Sequence, residues 1–82
     1  MEGISLCELR LILAARVGLI VKATREDLDM TQERLAGILG WTRAMVANVE
    51  CGRRTLTFAD FVVISSAFNI EPERMLRRMI QW

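Results

Sequence analysis

Apolar residues recur three and four positions apart along almost the whole chain, the spacing of amphipathic helices. Ser5-Leu6-Cys7-Glu8 has the S-x-x-E form of a capping box, so a first helix is expected to start there and to run through Leu9, Ile12, Leu13 and Arg16 towards Arg25. Gly18 is expected to kink that helix or to divide it in two. Asp27, Asp29 and the Thr31 hydroxyl mark a break and a new N-cap, followed by Gln32 to Leu39 with Leu35, Ile38 and Leu39 at helical spacing and Gly40 as the stop. Thr42 caps the next helix after a minimal turn, and Gly52 closes it just beyond Glu50. Thr57 and Asp60 open a fourth helix with Phe58, Phe61, Val62, Ser65 and Phe68 along one side and its end near Asn69. Pro72, behind Glu71, suits the first position of a fifth, with Met75, Leu76, Met79 and Ile80 as its apolar stripe. The expectation is an all-α fold of five helices without a strand.

Composition narrows the function. A chain of 82 residues leaves room for one domain, 1–82, and 52% hydrophobic residues with a single proline make it a folded globule instead of a linker or a disordered tail. It has no histidine, no tyrosine and two cysteines, which removes the usual zinc sites and every histidine-based acid, base or triad. With no nucleophile beside a base and no phosphate-cradling glycine loop either, the chain reads as a non-enzyme without cofactor or metal. Cys7 and Cys51 carry no disulfide spacing, so they are taken as small buried hydrophobes in a reducing compartment, and the methionines as gap-filling core residues. The apolar stretch from Ile4 to Ala23 is interrupted by Glu8, Arg10 and Arg16, and Glu2 stands where a signal peptide would be basic. The expected setting is therefore soluble and cytoplasmic, with no membrane.

A net charge of +1 is too small to hold nucleic acid by charge alone, but the distribution is uneven. Thr42 to Arg54 carries Arg43, Arg53 and Arg54 against Glu50 only. The same region holds the most specific pattern in the chain. A helix-turn-helix needs a small residue where its second helix crosses the first, a glycine in the turn, and apolar residues facing inward from both helices. Ala36, Gly40, and the set Leu35, Leu39, Trp41, Val46 and Val49 stand at those places. Projected at about 100° per residue, Val46 and Val49 fall on one side of the second helix, with Arg43, Ala44, Ala47 and Asn48 on the other.

In this pattern the chain resembles the Cro/C1-type (XRE-like) helix-turn-helix family of phage repressors and bacterial regulators. The residues that carry the likeness are Met30-Thr31-Gln32-Glu33-Arg34-Leu35-Ala36, Leu39-Gly40-Trp41-Thr42-Arg43 and Val46-Ala47-Asn48-Val49-Glu50-Cys51-Gly52-Arg53-Arg54, continuing through Leu56–Phe68 and Ile70–Leu76. In length it is similar to restriction–modification controller proteins and Cro-like repressors. The resemblance covers about 17–76 and implies the five-helix lambda-repressor-like DNA-binding domain, here with an N-terminally extended first helix. By position it implies that Arg43, Ala44, Ala47 and Asn48 read base edges in the major groove of double-stranded DNA. It implies that Thr31, Gln32, Thr42, Arg53 and Arg54 hold phosphates, and that Arg25 and Glu50 form a structural ion pair that sets the angle of the recognition helix. Cys51 stands where the family often has asparagine, and Trp41 is larger than the usual turn residue.

The segments 1–16 and 77–82 lie outside the resemblance and are too apolar for free termini. Leu6, Leu9, Leu13, Met79, Ile80 and Trp82 are therefore expected to form a dimer interface, giving a homodimer on a pseudo-palindromic operator. The competing reading is an antitoxin or antiactivator that keeps the helix-turn-helix fold and binds a protein partner through the same apolar ends.

Overall fold

The computed structural model describes residues 3–81, which form five α-helices and no strand. These are α1 (Leu6–Asp27), α2 (Gln32–Leu39), α3 (Arg43–Glu50), α4 (Phe58–Ala67) and α5 (Pro72–Ile80). Each of the first four starts on a hydroxyl residue whose oxygen accepts a backbone N–H three positions on. The pairs are Ser5 with Glu8, Thr31 with Arg34, Thr42 with Met45, and Thr57 with Asp60, at 3.0–3.2 Å. At Thr57 the box is complete, because the Asp60 carboxylate accepts in turn from the Thr57 amide. Ser5 has only half of one, its hydroxyl donating to Glu8 Oε1 in place of the backbone exchange. Pro72 occupies the first turn of α5, where a missing N–H costs nothing.

Every helix contributes to a single core made of Val21, Leu35, Ala36, Val46, Val49, Ile64, Phe68, Met75 and Met79. The short helix α3 packs against both α1 and α2, while α5 closes the far side against α4 and α1. Two polar ties fix that closure. Arg78 Nη1 donates to Thr24 Oγ1 at 3.1 Å, and the Arg16 guanidinium reaches the Gln81 carbonyl.

Several expectations are corrected by the packing. Gly18 neither kinks nor splits α1, which runs unbroken for 22 residues. It is instead the point where α3 meets α1: a Cβ there would press on the carbonyl oxygen of Val49 and lie 2.7 Å from that of Glu50. Cys7 and Cys51 are exposed, so neither is a core residue. Met79 is buried in the core and therefore unavailable to a dimer interface, although it shares the helical spacing of Ile80, which is exposed. Ile38, Phe58 and Leu76 also face solvent, because a stripe read from spacing is wider than the strip that finds a partner. Trp82 lies outside the described residues.

The N-terminal half of α1 stands clear of the core: the first buried residue along it is Gly18, and Leu6 is 84% exposed. Its inner side forms one wall of an open groove of 440 Å³, lined by Leu6, Leu9, Leu13, Ala14 and Val17, with Leu56 of the α3–α4 connection opposite. Arg10 and Arg54 also line this groove. Among the described residues no helix is long and apolar enough to cross a membrane.

Candidate nucleic-acid interface

The site is built on α2, a three-residue connection and α3. Gly40 ends α2 in the left-handed region at φ 71°, which a side chain would resist, and this lets the Trp41 amide return to the Ala36 carbonyl at 2.9 Å. Thr42 then caps α3 at once. The tight connection fixes the angle between the helices. Ala36 is buried in the core shared by the helices, where a larger side chain would need them to move apart. Val46 and Val49 are each 1% exposed and anchor α3 from beneath, while Arg43, Ala44 and Asn48 stand in solvent on its other side, with Ala47 half-buried between.

A buried polar network locks the far end of α3. Arg25 and Glu50, each 7% exposed, make a two-pronged ion pair, Nε to Oε2 at 2.7 Å and Nη2 to Oε1 at 3.1 Å. Arg25 Nη1 also donates to the Met30 carbonyl at 2.6 Å, and Gln32 Nε2 donates to Glu50 Oε1 at 3.0 Å. One guanidinium thus ties the end of α1 to the loop before α2 and to the last residue of α3. The bond to Glu50, reinforced by its charge, pushes the Arg25 guanidinium still further up, against the opposing effect of burial. Gln32 is drawn into this network, which occupies one of the two N–H donors of its carboxamide while the side chain still lines the open cleft beside α3.

Beyond α3 the chain turns back on itself. The Asn48 carbonyl accepts from the amides of Arg53 and Arg54 at 2.9 and 3.1 Å, with Gly52 at φ 80° making the bend. This brings Arg53 beside Arg43, Asn48, Gln32 and Cys51 around an open cleft of 410 Å³, to which α1 adds Lys22. Glu50 also lines the cleft, but its charge is met by Arg25, so the cleft is net basic. Lys22 was not singled out in the sequence; its signal is its place three residues before Arg25, which puts both on one side of α1. Arg54 turns the other way. Its guanidinium lies over the Trp41 ring at 4.9 Å, a cation–π contact that braces the turn. Trp41 itself packs against the core. Arg43 Nε lies 3.7 Å from Glu33 Oε1, both side chains well exposed.

A helix-turn-helix family model matches residues 21–75, which spans every core residue but Met79 and the whole of this site. The chain belongs to the Cro/C1-type helix-turn-helix family. That family is one of DNA-binding transcription regulators. Among solved structures, the restriction-modification controller protein C.AhdI from Aeromonas hydrophila is 27% identical, with a TM-score of 0.71 over 76% of this chain and 94% of that one. A point mutant of the restriction-modification controller protein C.Esp1396I is 26% identical, with a TM-score of 0.78 over 84% of this chain and 92% of that one. The clp gene regulator ClgR from C. glutamicum shares the fold at 18% identity, with a TM-score of 0.77 over 82% of this chain and 87% of that one. A comparison with curated protein sequences finds no match.

Proposed function

We propose that this helix-turn-helix protein is a sequence-specific regulator that binds double-stranded DNA as a homodimer, with α3 of each copy in the major groove of a pseudo-palindromic site. The observation that carries the reading is the two-sidedness of α3: an aliphatic underside sealed in the core and an outer face presenting Arg43 and Asn48. A guanidinium suits guanine O6 and N7, a carboxamide suits adenine N6 and N7, and the methyls of Ala44 and Ala47 suit thymine. Thr31, Gln32 and Thr42 stand at helix starts, where unpaired amides attract phosphate, and Gln32 would act there through its backbone. Arg53 and Arg54 supply charge along the backbone.

The test is a binding titration against a duplex recovered by selection from a randomised pool and against a scrambled duplex. Arg43→Ala or Asn48→Ala should cost about 1–3 kcal/mol on the selected duplex and relax its preference. Arg53→Ala should weaken both duplexes alike and reduce the salt slope by about one. An equal loss on both duplexes from Arg43→Ala would remove that residue from the base readers.

The homodimer rests on the apolar half of α1. Leu6 and Leu13 are exposed and Leu9 half-buried along the groove, and Ile80 is exposed on α5. Sedimentation at a concentration on the order of tens of micromolar should give twice the chain mass, and Leu13→Glu should shift it towards the monomer. A native chain that stays monomeric would favour the second reading, in which the same groove takes a different protein.

A further inference from the structure

We infer that Lys22 holds a backbone phosphate of the bound duplex from the α1 side of the cleft, so that the first helix grips DNA together with the helix-turn-helix. The inference rests on the DNA-binding reading proposed above and adds to it a contact outside the motif. Lys22 is the one lysine among the 11 basic residues of the chain, and it lines the open cleft along with Arg43, Asn48 and Arg53.

The helical repeat of α1 fixes where this amine starts from. Lys22 follows Gly18 by four residues and precedes Arg25 by three, so all three share one side of the helix. Gly18 is where α1 meets the carbonyls of Val49 and Glu50, and Arg25 is bonded to the Glu50 carboxylate. Lys22 therefore stems from a stretch of α1 that is held at both ends against α3. Its side chain is exposed and, like that of Arg53, makes no hydrogen bond or ion pair among the described residues.

Charge decides what the cleft can take. Lys22, Arg43 and Arg53 line it from α1, from α3 and from the connection to α4, while the charge of Glu50 is met by Arg25. Like charges around one open space repel one another until an anion enters. With the outer face of α3 in the major groove, the anion at its side is the strand that borders the groove, whose phosphates are the same in every sequence. A lysine suits that contact, because a compact charge on a flexible stem reaches an oxygen without the flat two-pronged geometry that an arginine brings to a base edge.

The experiment titrates the native chain, K22Q and R77Q against the selected and scrambled duplexes at two salt concentrations, after circular dichroism has shown the variants folded. K22Q should weaken both duplexes by the same factor and lower the salt slope by about one, so that its loss is about three- to fourfold larger at about 50 mM salt than at about 200 mM. R77Q removes the same charge from an exposed position on α5 outside the cleft and should leave the slope unchanged. A sole lysine is also its own probe: reductive methylation of Lys22, followed by mass spectrometry of the peptide that contains it, should be slowed by either duplex at saturation. A slope that K22Q does not move, an effect that R77Q matches, or a Lys22 amine methylated as fast in the complex as in the free chain overturns its role while Arg43 and Asn48 keep theirs. A native chain for which selection recovers no duplex overturns the DNA-binding reading itself, and the role of Lys22 with it.

Discussion

Glu50→Ala should lower the unfolding free energy by about 3–5 kcal/mol, a large share of the roughly 4–12 kcal/mol expected for a domain of 82 residues. The reason is what remains behind. Arg25 is 7% exposed and its guanidinium donates to both carboxylate oxygens of Glu50, so the truncation leaves a buried cation whose remaining hydrogen-bond partner among the described residues is the Met30 carbonyl. It also releases Gln32 from Glu50 Oε1, loosening the start of α2 against the end of α3. Arg25 cannot escape by losing its proton. Its folded pKa is raised, so the stability drawn from the charge is fully present below the ordinary arginine range and is lost only at still higher pH. Urea unfolding followed by circular dichroism checks the single variant. The double variant with methionine at both positions should recover most of the loss, because two apolar side chains leave no buried charge. It should bind the selected duplex less selectively, since only apolar packing, and no directed polar bond, would then set the end of α3 against α1. A single variant within about 1 kcal/mol of the native chain, or a double variant no more stable than the single, would show that the pair does not hold the motif together.

Gly18→Ala should destabilise the protein by about 1–3 kcal/mol, the opposite sign to its helix propensity. Alanine in mid-helix is ordinarily better than glycine by about 1 kcal/mol. At position 18 the added methyl would press on the backbone carbonyls of Val49 and Glu50, and backbone cannot turn aside as a flexible side chain can. The last turn of α3 would have to lift away from α1, straining the ion pair beside it and tilting Arg43 and Asn48. Affinity for DNA should fall by more than the stability loss explains. Gly37→Ala is the control: a Cβ at this exposed position in α2 has no neighbour within 4 Å, so the change should stabilise by about 0.5–1 kcal/mol. Thermal unfolding of the two variants should give shifts of opposite sign. If both melt higher than the native chain, the close approach of α3 to α1 is not tight.

Most of the helix boundaries were legible because the signals that set them are local. Thr31, Thr42 and Thr57 each satisfy an amide three residues away, Gly40 takes a backbone angle that other residues resist, and Pro72 suits only a first turn. The inward face of α3 was legible too, since Val46 and Val49 are fixed by the helical repeat once the helix is placed. Arg25 and Glu50 lie 25 residues apart, and no periodicity links them; only likeness to a family brought them together before the coordinates did. The errors share one cause. Gly18, Cys7, Cys51, Phe58 and Met79 were assigned from residue type and spacing, which say what a side chain prefers but not which element lies opposite.

By itself, the order of residues determined five helices, their caps and the turn between α2 and α3, because each depends on backbone hydrogen bonds made within a few positions. Tertiary structure alone decided that Gly18 admits the carbonyls of α3, that Arg54 lies on Trp41, that Gln32 bonds to Glu50, and that Lys22 joins the basic cleft. Those contacts join residues distant in sequence, and their geometry depends on how whole helices settle against one another to exclude water.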